Sequence, residues 1–186
     1  LQRGGRPMFM VRLALAALSV GNWGIYGPAM ELQDAKPREP GSEEYLDSEK
    51  YEIKLWDRQA PHTLAPFITR LNEIRKTEAA VRDHSPPVIE TTDNPFLLAW
   101  SRHDPTTHNH LLIVVNLEPE ESRTDTVELT PGHFGESSPT TLAVTDLLTG
   151  ERSTKPLKDF QVTCTPTDPV IVLRLSPNPD SSSADE

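Results

Sequence analysis

The sequence predicts an α/β segment followed by an all-β domain, an antiparallel β-sandwich. Three observations carry that class. Before residue 85 or so, two stretches space their apolar residues as helices do, with a glycine-punctuated aromatic segment between them. At DHSPPVIETTDNP the period switches from helical to two, which sets a boundary near Ser85–Pro87. Beyond it PFLLAWSR, NHLLIVVNLE, TDTVELT, TTLAVTDLLTG and DPVIVLRLS read as strands with no helix between them. Eighteen prolines against nine glycines fit many loops and short strands. The division is therefore residues 1–85, residues 86–176, and a polar, acidic tail at 177–186 expected to be disordered.

The first element is the apolar run from Met8 to Val20. Basic residues precede it and small ones follow, which is the outline of a secretory signal peptide. Arg12 interrupts the run, and it is too short to span a bilayer. The competing reading is a buried helix with Pro7 in its first turn and its end near Gly21. Met8, Val11, Leu15 and Leu18 would form one face, widened by Phe9, Leu13 and Ala16. NWGIYGPAMEL, from Asn22 to Leu32, reads as a tight turn and a short buried strand.

A long polar connection follows, Gln33 to Pro61. Connections of this length without secondary structure of their own are functional or disordered, and its aromatic content favours an ordered, functional one. Within GSEEYLDSEKYEIKLWD, five carboxylates (Glu43, Glu44, Asp47, Glu49, Glu52) surround one cation, Lys50, followed at once by Tyr51. Taken alone, Lys50 reads as a solvated loop lysine. Next, TLAPFITRLNEIRKTEAAVRD is an amphipathic helix. Thr63 is its candidate N-cap and Pro66 lies in the first turn. Phe67, Ile68, Leu71 and Ile74 form the apolar stripe, with Arg70, Asn72, Glu73, Arg75 and Lys76 facing water.

In the all-β part, SRHDPTTHNH carries His103, His108 and His110. Their density raises a metal hypothesis, but nothing completes the ligand set, and the segment reads as a hairpin loop. LLTGERS reads as a hairpin with Thr149-Gly150 in the turn. The single cysteine, Cys164, excludes an internal disulfide and reads as a small residue in or near a strand. A net charge of -10 argues against nucleic acid, because phosphate contacts need clustered Lys and Arg.

Several of these stretches together resemble one family. GRPMFMVRLALAA, NWGIYGPAMEL, GSEEYLDSEKYEIK and APFITRLNEIR are similar to the C-terminal part of the bacterial maltosyltransferases of the α-amylase clan (glycoside hydrolase family 13). Those enzymes extend α-1,4-glucans from α-maltose 1-phosphate. The resemblance runs from about Gly4 to Ala80 and is weaker beyond, where KPLKDFQVTCTP replaces a tryptophan-bearing strand. It implies that Met8–Val20 is a late helix of a (β/α)8 barrel, NWGIYGPAM the eighth strand and APFITRLNEIRKTEAA the eighth helix, which displaces the signal-peptide reading. The expected fold is then the C-terminal end of a (β/α)8 barrel followed by the sandwich. The 33–61 connection would lie on the barrel's active face.

The same resemblance implies the chemistry. The Lys-Tyr of SEKYE would hold the donor phosphate, here Lys50 and Tyr51, with one compact cation and one neutral hydroxyl donor. Adjacent residues of a regular strand point to opposite faces, so sharing a ligand requires SEKYE to be irregular. The clan's nucleophilic aspartate and acid/base glutamate sit on earlier barrel strands. The implication is no catalytic residue in this chain, no metal and no cofactor, and a fragment inactive by itself. The implied parent is a cytoplasmic homodimer acting on α-maltose 1-phosphate and α-1,4-glucan, without nucleic acid or membrane partners. The alternative is a non-catalytic module whose sandwich binds glucan or a partner protein. Phe96, Trp100, Phe134 and Phe160 are the aromatics available for that role, unless they are core.

Overall fold

The structure is a computed structural model that describes residues 3–42, 44–46, 53–82, 84–130, 134 and 139–178. Four helices come first: α1 (Gly5–Leu18), α2 (Gly27–Glu31), α3 (Ala65–Thr77) and α4 (Ala79–Arg82). Eight strands follow: β1 (Val88–Thr92), β2 (Leu97–Asp104), β3 (Asn109–Asn116), β4 (Arg123–Glu128), β5 (Thr141–Asp146), β6 (Arg152–Pro156), β7 (Phe160–Cys164) and β8 (Val170–Pro177). Among the described residues no helix is long and apolar enough to cross a membrane.

All strand pairs are antiparallel, in the order β6-β5-β8-β3-β2-β1-β4-β7. The sheet folds over at β1, which pairs with β2 through residues 88–90 and with β4 through 91–92. The expected sandwich is thus one continuous sheet, nearly closed and barrel-like. Leu97, Leu112, Val114, Val127, Phe160, Val162 and Leu173 fill its interior. The DLLTGE hairpin forms as expected: Gly150 sits at φ +85° and its N–H donates to Asp146 O at 2.8 Å.

The outer face of β2, β3 and β8 is covered by the helices. Trp100, Leu111, Ile113, Val115 and Val172 share one cluster with Phe9, Leu13, Leu18, Leu71 and Ile74. This explains why NHLLIVVN is an unbroken apolar run: β3 is buried on both faces, one by helices and one by the folded-over sheet. Trp100 is 1% exposed, and its indole N–H donates to Leu18 O at 3.4 Å.

Buried polar groups complete the junction between helices and sheet. Arg102, 3% exposed, donates to Ala80 O at 3.1 Å, to Ser19 O at 3.0 Å and to Ser85 O. Glu78, 4% exposed, accepts from Asn109 at 2.6 Å and pairs with Arg174 at 3.1 Å. Paired in this way, these charges escape the cost of lone burial.

Three expectations change. NWGIYGPAM is not a strand: residues 22–26 have no regular structure and α2 starts at Gly27 with Pro28 in its first turn. A parallel barrel strand needs hydrogen-bonded neighbours, and among the described residues no strand pairs with 22–26. On α1 the buried face is Phe9, Val11, Leu13, Ala14, Ala17 and Leu18, with Ala16 exposed and Met8 and Leu15 only half-buried. The segment is apolar nearly all round, so periodicity could not choose the face that the sheet selects. On α3, Arg75 does not simply face water. Its guanidinium caps α1, donating to Val20 O at 3.0 Å and to the carbonyls of Ala17 and Gly21.

Cys164 ends β7 in the sheet interior, and desolvation pushes its thiol up to about 12. At pH 8 that leaves on the order of one thiolate in ten thousand. An aromatic disulfide reagent should therefore label the folded chain hardly at all and label it fully in denaturant. Comparable rates in both states would place the thiol outside the core. The sign for stability follows. Below the unfolded pKa near 9 the contribution is fully present; above it the unfolded thiol ionises first and stability falls.

Candidate functional site

The 33–61 connection leaves α2 and returns to α3, and its two ends are tied together. Leu64 N–H donates to Glu31 O at 2.8 Å, and Thr63 Oγ1 to Glu31 Oε1 at 3.1 Å. Gln33, at φ +60°, turns the chain out of α2, and its amide donates to His62 O. Arg6 on α1 reaches the same carbonyl at 2.7 Å. Thr63 Oγ1 also accepts the N–H of Ala65 at 3.1 Å, so it acts at the start of α3 as the sequence expects, although the cap position itself is Leu64.

Beyond Asp34 the chain doubles back. Leu46 N–H donates to Lys36 O and Arg38 N–H to Glu44 O, both at 2.8 Å, with Gly41 at φ +83°. Arg38 pairs with Glu44 at 3.0 Å, but both side chains are more than half exposed, so the pair adds little stability. From Ile53 the chain runs without regular structure toward a turn at Arg58-Gln59. Its side chains are inverted relative to a soluble surface. Ile53 and Leu55 are each 96% exposed, while Lys54 turns inward to Asp34, each side chain 19% exposed. Lys54 Nζ also lies 4.7 Å from the centre of the Trp56 ring.

Lys50 and Tyr51, the residues expected to hold phosphate, lie outside the described residues, as do Glu43, Asp47, Glu49 and Glu52. Of the five acids around Lys50 only Glu44 is described, paired with Arg38; earlier in the connection Asp34 pairs with Lys54. The sequence does not single out Asp34 or Trp56, because their meeting with Lys54 depends on how the connection folds back.

The three histidines lie along the β2–β3 hairpin. His103 and His110 face each other across β2 and β3, ring centroids 5.8 Å apart, and His110 Nε2 lies 3.1 Å from Ser101 Oγ. His108 sits in the intervening turn at φ +53°. Among the described residues no group of three His, Cys, Asp or Glu is placed to hold a metal ion. The aromatics of the β domain are mostly buried. Trp100, Phe134 and Phe160 are buried, and the half-buried Phe96 carries Arg123 over its ring at 4.7 Å. A cleft of about 680 Å³ opens between the terminal strands β6 and β7, with Val144, Ile171 and Leu173 beneath Asp146, Arg152 and Lys155; no aromatic side chain lines it.

Comparison with known proteins bears on the whole chain. The family described as GLGE, C-terminal, matches residues 89–175. The Alpha-1,4-glucan:maltose-1-phosphate maltosyltransferase of Corynebacterium glutamicum is 40% identical over 156 residues, 82% of this chain and 23% of its own length. Maltosyltransferase 1 of Streptomyces coelicolor is 43% identical over 155 residues, 81% of this chain and 22% of its own. The Methylacidiphilum infernorum enzyme of the same name is 47% identical over 117 residues, 63% of this chain and 18% of its own. The chain thus spans less than a quarter of the length of the curated relatives it matches. Among solved structures, a Gamma-CGTase from Alkalophilic bacillus clarkii shares the fold over 89% of this chain and 22% of its own, with a TM-score of 0.52 and 19% identity. On this evidence the chain belongs to the α-1,4-glucan:maltose-1-phosphate maltosyltransferase family, and its residues 89–175 are that family's C-terminal domain.

Proposed function

We propose that the chain is the C-terminal part of a retaining transferase that moves maltosyl units from α-maltose 1-phosphate to α-1,4-glucan. The observation that carries this reading is the 40% identity to a curated maltosyltransferase, sustained over 82% of the chain. In this reading residues 1–85 belong to the catalytic part, as the end of its (β/α)8 barrel, residues 86–176 form the C-terminal domain, and 177–186 are a polar tail. The parent enzyme is a cytoplasmic homodimer. Lys50 and Tyr51 bind the donor phosphate, the leaving group of the first step. Their chemistry suits a dianion: an ammonium and a phenolic hydroxyl on consecutive residues. The tie between Glu31 and Thr63 supports a connection held at its base, from which such a pair can act.

The reading places the nucleophile and the acid/base outside this chain. The purified 186-residue chain, given maltose 1-phosphate and glycogen, should therefore release no inorganic phosphate above the no-protein control. Turnover by the chain alone would overturn the assignment of catalysis to residues it lacks.

A further inference from the structure

Among the described residues the eight-stranded sheet stops short of closing: its end strands, β6 and β7, do not pair. Leu157, Lys158 and Asp159 join them at one end, and the cleft of about 680 Å³ lies between them. The hydrogen-bond phase shows which peptide groups face this gap. Asp146 N–H donates to Glu151 O at 2.9 Å and Leu157 N–H to Thr140 O at 3.0 Å. Residues 151, 153, 155 and 157 are therefore the ones bonded to β5, and Arg152 and Thr154 turn their peptide groups to the gap. On β7 the hydroxyls of Thr163 and Thr124 meet at 2.9 Å, as side chains do in a non-hydrogen-bonded pair. In the same phase, Gln161 O accepts from Lys155 Nζ of β6 at 2.6 Å. Gln161 and Thr163 thus also present their N–H and C=O groups to the gap.

We infer that the gap is a docking site for one extended peptide segment of a partner protein, added as a strand antiparallel to β7. The occupant must be a lone strand. A second folded sheet, another copy of this chain included, would bring its own neighbouring strand onto β6. Of the two edges β7 is the more open: it has neither proline nor charge, whereas β6 carries Arg152 and Lys155 and ends in Pro156, residue types that blunt an edge. Gln161 and Thr163 point outward and are exposed, so the residues of the segment that bond to them point outward too. The alternate ones turn to an aliphatic floor of Val162, Ile171 and Leu173. Running antiparallel to β7, the segment has its N-terminal end away from the 157–159 loop. There Asp146, Glu151 and Asp168 stand against Arg152 alone, which suits a cation. Lys155, by holding Gln161 O, competes with the incoming strand.

The probe is the peptide Lys-Val-Thr-Val-Thr-Val with a fluorescent label at its C-terminus, titrated with the 186-residue chain by fluorescence anisotropy. It should bind with a Kd below about 1 mM. Methylating the two threonine amides removes the N–H groups that face β7 and should weaken binding at least about tenfold. Thr163→Pro, which removes an outward N–H and leaves the backbone bonds to β4, should weaken it as much, with an unchanged circular-dichroism spectrum. Lys155→Ala, which frees Gln161 O, should bind about fivefold tighter. No binding up to about 1 mM, or binding that ignores both amide methylation and Lys155→Ala, would overturn the proposal. These two arms do not depend on how Thr163→Pro folds. Displacement of the peptide by maltoheptaose would make the cleft a glucan site, and dimers that disappear with Thr163→Pro would put a second copy there; either result overturns it as well.

Discussion

Replacing Trp100 by alanine lowers the unfolding free energy of this chain by about 3–5 kcal/mol, the range for removing a large, fully buried aromatic. The indole lies beneath α1, 1% exposed, in the cluster that joins Phe9, Leu13 and Leu18 to the outer face of β2, β3 and β8. Its removal leaves a cavity that rigid strand and helix backbones can close only in part. It also deletes the hydrogen bond to Leu18 O near the C-terminal end of α1. Urea unfolding followed by circular dichroism reads the effect directly. Because the cluster spans helices and sheet, the helical and strand signals should still be lost together, at lower urea. A loss under about 1 kcal/mol, less than even a mild core truncation costs, would show that the helices do not depend on this ring.

The second large effect concerns the proposed donor site. In a full-length relative carrying SEKYE, Lys50→Ala should cost on the order of 2–4 kcal/mol in transition-state stabilisation, since it removes the cation of a partly desolvated dianion. That corresponds to roughly thirty- to a thousand-fold in kcat/KM for maltose 1-phosphate. Tyr51→Phe should cost less, about 1–1.5 kcal/mol, because it deletes one neutral donor and keeps the ring. Both losses should vanish with a maltosyl fluoride, and replacing Glu44, which is exposed and paired with Arg38, should matter far less. Equal losses with both donors would show that Lys50 shapes the connection and does not hold phosphate.

Much of this fold is legible in the sequence. Elements with a strong, one-sided signal were read correctly in kind: the amphipathic α3, the β2–β3 hairpin, the turn at Thr149-Gly150 and the long apolar strands β3 and β8. Three short strands are less legible: VIETT has no strand reading, RSTKP enters only as the second arm of the Thr149-Gly150 hairpin, and FQVTC only through Cys164. VIETT (β1), RSTKP (β6) and FQVTC (β7) are five residues each. Two of them, β6 and β7, end the sheet, and β1 and β6 carry little apolar content. The eighth-barrel-strand expectation at NWGIYGPAM came from resemblance, and Pro28 in the first turn of α2 was the local sign against it.

By itself the sequence determined composition, period and turn chemistry: where helices give way to strands, where the Thr149-Gly150 turn falls, and that Lys50 is a lone cation among acids. Those are local properties, set by a residue and its near neighbours. Only the tertiary structure decided which face of α1 goes inward, that Arg75 caps α1 and Arg102 gathers three distant carbonyls, and that Lys54 turns in to Asp34 while Ile53 and Leu55 stay exposed. Each of these joins residues at least seventeen positions apart in the chain, or turns on what a neighbouring element leaves uncovered. The free energy of such contacts belongs to the pair and its surroundings, so no window along the chain contains it.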